Sequence, residues 1–196
     1  MAAARAAWRT DVAAGVGGLA PERLVFLDER GELTGTARLH GRGPRGERAR
    51  GAVPLGPRAR PSVLGALGHG GVPAAMGAEG ATGGAVFHAY LGRVLLPALR
   101  EREPDAALVT DDLRAHETPE VGELLDGSGL PYRRPLSCSP DLSPIGPAWA
   151  RVKAEPRRVA ARDEDASHRA LGPALDRVSA ANAAAYFRHC GYERPG

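Results

Sequence analysis

Asp28 and Asp111 are the residues of this chain best placed to do chemistry. Each closes a short apolar run, Leu24-Val25-Phe26-Leu27 in the first case and Leu108-Val109-Thr110 in the second. A buried strand that stops on a carboxylate delivers it to the strand's C-terminal end, the edge at which open α/β sheets bind ligands. Two carboxylates brought together there are oxygen donors for a hard cation such as Mg²⁺, which takes few carboxylates alongside water and phosphate oxygens. A pair of such ions clamps the attacking and leaving oxygens of a phosphodiester displacement. On these two runs alone the competing reading, Asp residues that cap turns or helices, stays open. Glu29 and Asp112 follow the principal acids, so in a continuing strand they face the opposite side and serve support or structure.

Other chemistry-bearing residues carry weaker patterns. His116, five positions after Asp111, reads as a polar turn residue before it reads as a metal ligand or base. Ser137 and Ser139 with His116 lack the G-x-S-x-G elbow of a hydrolase. Gly65, Gly68, Gly70 and Gly71 lack the strand-turn-helix setting of a phosphate-binding loop. Cys138 and Cys190 stand in no CxxC pattern, which gives neither a disulfide framework nor a zinc site and makes a reducing cytoplasm the expected compartment.

The elements that must position the acids follow from periodicity. Leu24 to Asp28 predicts a first strand, Thr36 to His40 a second, and Ser62 to Gly68 with Val72 to Met76 a hairpin around His69-Gly70-Gly71. Thr82 is a candidate N-cap for a helix with Val86, Tyr90, Leu91, Val94 and Leu95 on one face, and Pro97 should kink or end it. Asp105 to Asp111 predicts a strand, Pro119 to Leu125 a helix stopped near Gly127 and Gly129, and Tyr132 to Pro135 a further short strand. Ser143 as N-cap and Pro144 at the first helical position open a helix with Ile145, Trp149 and Val152 on one face. Two core-covering helical patterns follow, one with Leu171, Leu175 and Val178, the other running from Ala183 to His189 before Gly191.

At 196 residues with 43% apolar content, the chain suits one domain with a real core. The expected division is a tail or connector over 1–20, the domain over 21–192 and a tail over 193–196. Gly and Pro, 26 and 17 in number, are scattered without a period, which excludes collagen-like and repeat architectures. Lys153 and 25 arginines make up the 26 basic residues, for a net charge of only +3. Arg38, Arg42, Arg45, Arg48, Arg50, Arg58 and Arg60 nevertheless concentrate in one Gly/Pro-rich stretch with only Glu47 against them, a candidate for phosphate-backbone contact. Its competing reading is a solvated loop of an Arg-rich protein. Arg151, Lys153, Arg157, Arg158 and Arg162 offer a second basic face. No run approaches 18 apolar residues and the N-terminus lacks a signal-type apolar core, so the expectation is a soluble, unexported protein without membrane contact.

Three blocks, Leu24-Val25-Phe26-Leu27-Asp28-Glu29, Leu108 through His116, and Ser139-Pro140-Asp141-Leu142-Ser143-Pro144-Ile145-Gly146-Pro147-Ala148-Trp149, resemble in order the signature blocks of bacterial insertion-sequence transposases. The branch is the mariner-related one within the DDE superfamily. The resemblance spans about residues 22 to 192. It implies an α/β, ribonuclease H-like fold: a mixed five-stranded sheet, three antiparallel then two parallel strands, flanked by helices, with the first and fourth strands adjacent. It also implies cleavage and joining of DNA at element ends with Mg²⁺ or Mn²⁺, and Asp28 and Asp111 as the first two metal-binding, catalytic acids.

The departures matter as much as the match. The family's third acid follows the second after 34 residues, and Gly146 stands at that place. Glycine offers no oxygen ligand, so the expected enzyme is inactive or impaired. Asp112 stands where the family has Asn, adding a like charge that tends to raise one carboxylate's pKa. About 20 leading residues cannot hold the helix-turn-helix modules that read element ends, so the chain is expected to be the catalytic half alone, either the downstream product of a split reading frame with a separate helix-turn-helix polypeptide as partner or a decayed copy, with a homodimer as a further expectation. A nucleoid-associated cytoplasmic location accompanies this reading. The alternative is a non-catalytic DNA-binding or oligomerising remnant that uses the Arg38 to Arg60 stretch, with Arg38, Arg42, Arg45, Arg48 and Arg50 foremost, and the Arg151, Lys153, Arg157, Arg158 and Arg162 face.

Overall fold

The computed structural model describes residues 7–8, 20–31, 42–48, 50, 62–80, 82–110, 118–133, 139–155 and 164–192, with backbone alone at 164, 167 and 168. Five strands form one sheet: β1 (Leu24–Gly31), β2 (Ser62–Leu67), β3 (Ala75–Ala78), β4 (Ala107–Val109) and β5 (Tyr132–Arg133). Their order is β3-β2-β1-β4-β5. β1 pairs antiparallel with β2, and β2 with β3; β4 runs parallel to both β1 and β5. This is the expected mixed sheet with its first and fourth strands adjacent. The predicted strand over Thr36 to His40 lies outside the described residues.

Alternation along β1 sorts the core into two layers. Val25 and Leu27 face one cluster with Leu64, Leu91, Leu95 and Leu108, while Leu24 and Phe26 face another with Val63, Leu67, Ala107 and Val109. Both sides of the central strands are therefore apolar, as a sheet covered on two faces requires.

The first layer is covered by α1 (Gly84–Tyr90), a π-helical turn (Leu91–Leu95), α2 (Leu96–Arg102) and α3 (Pro119–Ser128). Two local expectations are corrected here. Gly83, not Thr82, holds the N-cap of α1, in extended backbone and without a side-chain bond. Pro97 does not end the helical run, which continues to Arg102; the helix widens to a π turn at Leu91–Leu95 just before it, a local adjustment that accommodates a residue without an amide. α3 follows its local signals closely. The Thr118 hydroxyl accepts the Val121 amide at 3.4 Å, and Gly129 closes the helix in the left-handed region at φ 73°.

The second layer is covered by α4 (Ile145–Val152), α5 (Glu164–Asp176) and α6 (Ala180–His189). Pro144 rather than Ser143 takes the N-cap of α4; Ser143 contributes its carbonyl, which accepts the Gly146 amide at 3.1 Å. Ile145, Trp149 and Val152 share the buried face, as their spacing predicts. α6 opens on a capping box between Ser179 and Asn182. Trp8 reaches this layer from the far end of the sequence, its indole N–H donating to the Tyr192 hydroxyl at 3.2 Å.

Candidate functional site

Asp28 is the first residue of β1 to emerge from the core: Leu24 to Leu27 are buried, Asp28 and Glu29 half-buried, and Arg30 and Gly31 exposed. It stands directly opposite Gly65 in the β1–β2 pair. Being in phase with Leu24 and Phe26, Asp28 belongs to the face covered by α4. Glu29 turns to the other face, where its Oε1 accepts the Thr82 amide at 3.3 Å and so ties the end of β1 to the segment entering α1. The two neighbouring acids thus face opposite sides of the sheet, as the alternation along a strand predicts. Thr82 is 7% exposed and its hydroxyl has no hydrogen-bond partner.

β4 carries the chain toward the second acid. Ala107 and Val109 lie on the α4 face and Leu108 on the other. Thr110 is buried, and its amide donates to the Arg133 carbonyl at 3.0 Å, extending the parallel pairing with β5 one residue past the strand. Asp111, with Asp112 and His116, lies outside the described residues.

α4 crosses the same face, packed on β1 and β2. Gly146 is exposed in its first turn, and a Cβ there would meet nothing within 4 Å. Crowding is therefore not what keeps a carboxylate from this position. Asp141, the nearest acid in the sequence, is exposed in the 3₁₀ turn Pro140–Leu142. Burial and, after it, the Asp141 charge push the Cys190 thiol up to about 11. Among the described residues no group of three or more His, Cys, Asp and Glu side chains is arranged to hold a metal ion.

Of the basic residues, Arg42, Arg45, Arg48 and Arg50 are exposed, and the first three flank a turn in which the Glu47 amide donates to the Pro44 carbonyl at 3.1 Å. Arg38 lies outside the described residues. Arg151 is exposed and Lys153 half-buried on α4 and its cap, while Arg157, Arg158 and Arg162 lie outside the described residues. Ser139 is buried; its suggested partners Ser137 and His116 lie outside the described residues.

Sequence reasoning missed one close approach at this site. Gly65 lies under the indole of Trp149, where a Cβ would stand 2.7 Å from Cη2 and 2.9 Å from Cζ2. A glycine inside an apolar strand was the available signal, since it marks a place where another group comes close to the backbone.

The family model for DDE superfamily endonucleases matches residues 23–166. A comparison with curated protein sequences returns no match. Among solved structures, the chain superposes on the pre-cleavage Mos1 transpososome with a TM-score of 0.70 at 14% identity, covering 95% of this chain and 57% of that one. It superposes on the Mos1 transposase catalytic domain with Raltegravir and Mn with a TM-score of 0.68 at 14% identity, covering 95% and 84% of the two chains. The mariner Mos1 paired end complex with Mg gives 0.70 at 13% identity, covering 98% and 62%. The chain thus spans a little over half the length of the first of these proteins and most of an isolated catalytic domain, and it shares their fold. The match over residues 23–166 and the sheet order with β1 beside β4 agree: this chain belongs to the DDE superfamily of endonucleases.

Proposed function

We propose that this chain is the catalytic domain of an insertion-sequence transposase, built to cut and join DNA at element ends, with Asp28 and Asp111 as its metal-holding carboxylates and Gly146 in the place of the third. The observation that carries the reading is the parallel register of β1 and β4, in which Phe26 stands opposite Val109. Asp28 and Asp111 each follow two residues later in the sequence, at the same offset from this aligned pair.

Two hard anionic oxygens fit a divalent cation of the Mg²⁺ or Mn²⁺ kind, and position 146 adds no donor. A bound ion supplies Lewis-acid activation of the phosphodiester and a more acidic bound water. The chain's own contributions are the orientation of Asp28 by the β1–β2 pairing and the tether from Glu29 to Thr82. Arg38, Arg42, Arg45, Arg48 and Arg50 are the proposed contacts to the DNA backbone, with binding that weakens steeply as salt rises. A separate helix-turn-helix polypeptide, self-association and action on the nucleoid in the cytoplasm belong to the same proposal.

The test is nicking of a duplex carrying the element's inverted repeats in Mg²⁺ or Mn²⁺. The purified chain is expected to cut at least a hundredfold more slowly than its Gly146→Glu variant, and Asp28→Ala in that variant is expected to abolish cutting. Clear cutting by the unaltered chain that Asp28→Ala removes would overturn the impairment. Salt-sensitive DNA binding with no cutting by any variant would support the second reading, a non-catalytic DNA-binding remnant, which the exposed arginines and Gly146 favour.

A further inference from the structure

We propose that Gly65 is a positioning residue of this site: it lets the Trp149 indole rest directly on the sheet and so sets the height at which α4, the helix that carries position 146, stands over the sheet face on which Asp28 lies. The inference rests on the three-carboxylate reading above, because position 146 has a role only there.

Gly65 is the register partner of Asp28, and Trp149 covers Gly65 from the same side on which Asp28 lies. The indole has no room to retreat. Trp149 is 4% exposed in a cluster with Phe26, Val63, Leu67 and Val152. Its Nε1 is buried without a hydrogen-bond partner, so packing alone decides how deep the ring sits. Carbon atoms in van der Waals contact stand roughly 3.5–4.0 Å apart. A methyl at position 65, only 2.7 Å from the ring, therefore requires a displacement on the order of 1 Å.

That displacement is passed along the helix. Gly146 precedes Trp149 by three residues, about 4.5 Å along the axis and roughly 60° around it, within one rigid turn. Metal-ligand distances tolerate only about 0.2 Å, so lifting the helix by several times that amount separates a carboxylate at 146 from one at 28. Glycine inside a strand is otherwise unfavourable, as it adds backbone entropy and packs nothing, which leaves this close approach as its use.

Two measurements on the full chain test the proposal. In the Trp8→Phe chain, Trp149 is the sole tryptophan, and its emission is expected to be blue-shifted; Gly65→Ala should move it red by several nanometres. An unchanged emission maximum in the folded Gly65→Ala protein overturns the contact, with or without metal. Mn²⁺ titration followed by electron paramagnetic resonance reads the site. Gly65→Ala should weaken Mn²⁺ binding by the Gly146→Glu variant at least tenfold, and adding Trp149→Leu, which removes the six-membered ring, should restore it to within about threefold. Affinity unchanged by Gly65→Ala overturns the positioning role. If Gly65→Ala does not fold, recovery of folding by Trp149→Leu supports the contact and failure to recover overturns it. A Gly146→Glu variant that binds Mn²⁺ no more tightly than the unaltered chain removes the three-carboxylate reading instead, and the emission measurement still decides whether Gly65 seats the indole.

Discussion

Phe26 faces Val109 across the parallel β1–β4 pair, at the same offset that joins Leu24 to Ala107 and Val25 to Leu108. Asp28 follows Phe26 by two residues in the sequence, and Asp111 follows Val109 by the same two. Asp28→Asn and Asp111→Asn in the Gly146→Glu variant are therefore expected to lower Mn²⁺ affinity by similar factors, each tenfold or more. Glu29→Gln should leave it within about twofold, because an amide oxygen still accepts the Thr82 N–H on the other face. Paramagnetic titration of the three variants checks this; a large loss for Glu29→Gln would move the site to the wrong side of the sheet.

Gly71 and Gly122 give opposite expectations for the same substitution. Gly71 has φ +118°, and a Cβ there would stand 2.7 Å from the Val178 carbonyl oxygen. Gly71→Ala should destabilise the protein by about 2 kcal/mol or more through strain and collision. Gly122 lies inside α3 with nothing within 4 Å of a Cβ, so Gly122→Ala should stabilise by about 0.5–1 kcal/mol. Urea denaturation of the two variants separates them by sign.

Burial gives two groups opposite pH signatures. Desolvation raises the Glu103 carboxyl, which lies against Gly68, above its ordinary value of 4.5. A raised folded pKa contributes stability that is present below the unfolded value and lost as pH rises through the folded one. Glu103→Gln is thus expected to raise Tm at pH 7, with the gain fading below about pH 4. His69 is shifted the other way: burial lowers its pKa from 6.5, against a smaller upward pull from Glu22. A lowered folded pKa makes stability fall as pH drops from 6.5 through the folded value, because the unfolded chain binds the proton first. His69→Gln should flatten Tm against pH just below 6.5. A Tm profile of each variant from pH 3.5 to 8 decides both; an undiminished acid-side slope in His69→Gln counts against the His69 assignment.

The Tyr192 hydroxyl joins three distant parts of the chain. It donates to the Leu142 carbonyl at 2.6 Å and accepts from Trp8 Nε1 at 3.2 Å, in a residue only 3% exposed. Tyr192→Phe keeps the ring packing against Phe26 and Phe187 while removing the hydroxyl donor from the Leu142 carbonyl and the acceptor from the Trp8 indole. The expected cost is about 1–3 kcal/mol by chemical denaturation. A cost below about 0.5 kcal/mol would mean that water replaces these partners and that the anchor is weak.

What the sequence determined by itself is local or periodic. The apolar run Leu24 to Leu27 ending in Asp28, the pairing of Ser62 to Gly68 with the strand after His69, the Thr118 and Gly129 caps of α3 and the buried Ile145, Trp149 and Val152 stripe all depend on residues within a turn or a pleat of one another. The resemblance of the three blocks added the strand order that periodicity does not contain. Local signals failed where two neighbouring residues could take the same task. Gly83 displaced Thr82 and Pro144 displaced Ser143 as caps, and Pro97 found a place at the start of a helical segment rather than beyond one. Tertiary structure alone decided which faces meet. Gly65 touches Trp149 and Trp8 touches Tyr192 because two layers of helices close on the sheet, and the distance between such layers is set by side-chain volumes contributed from far apart in the chain. No spacing within a single element encodes that distance.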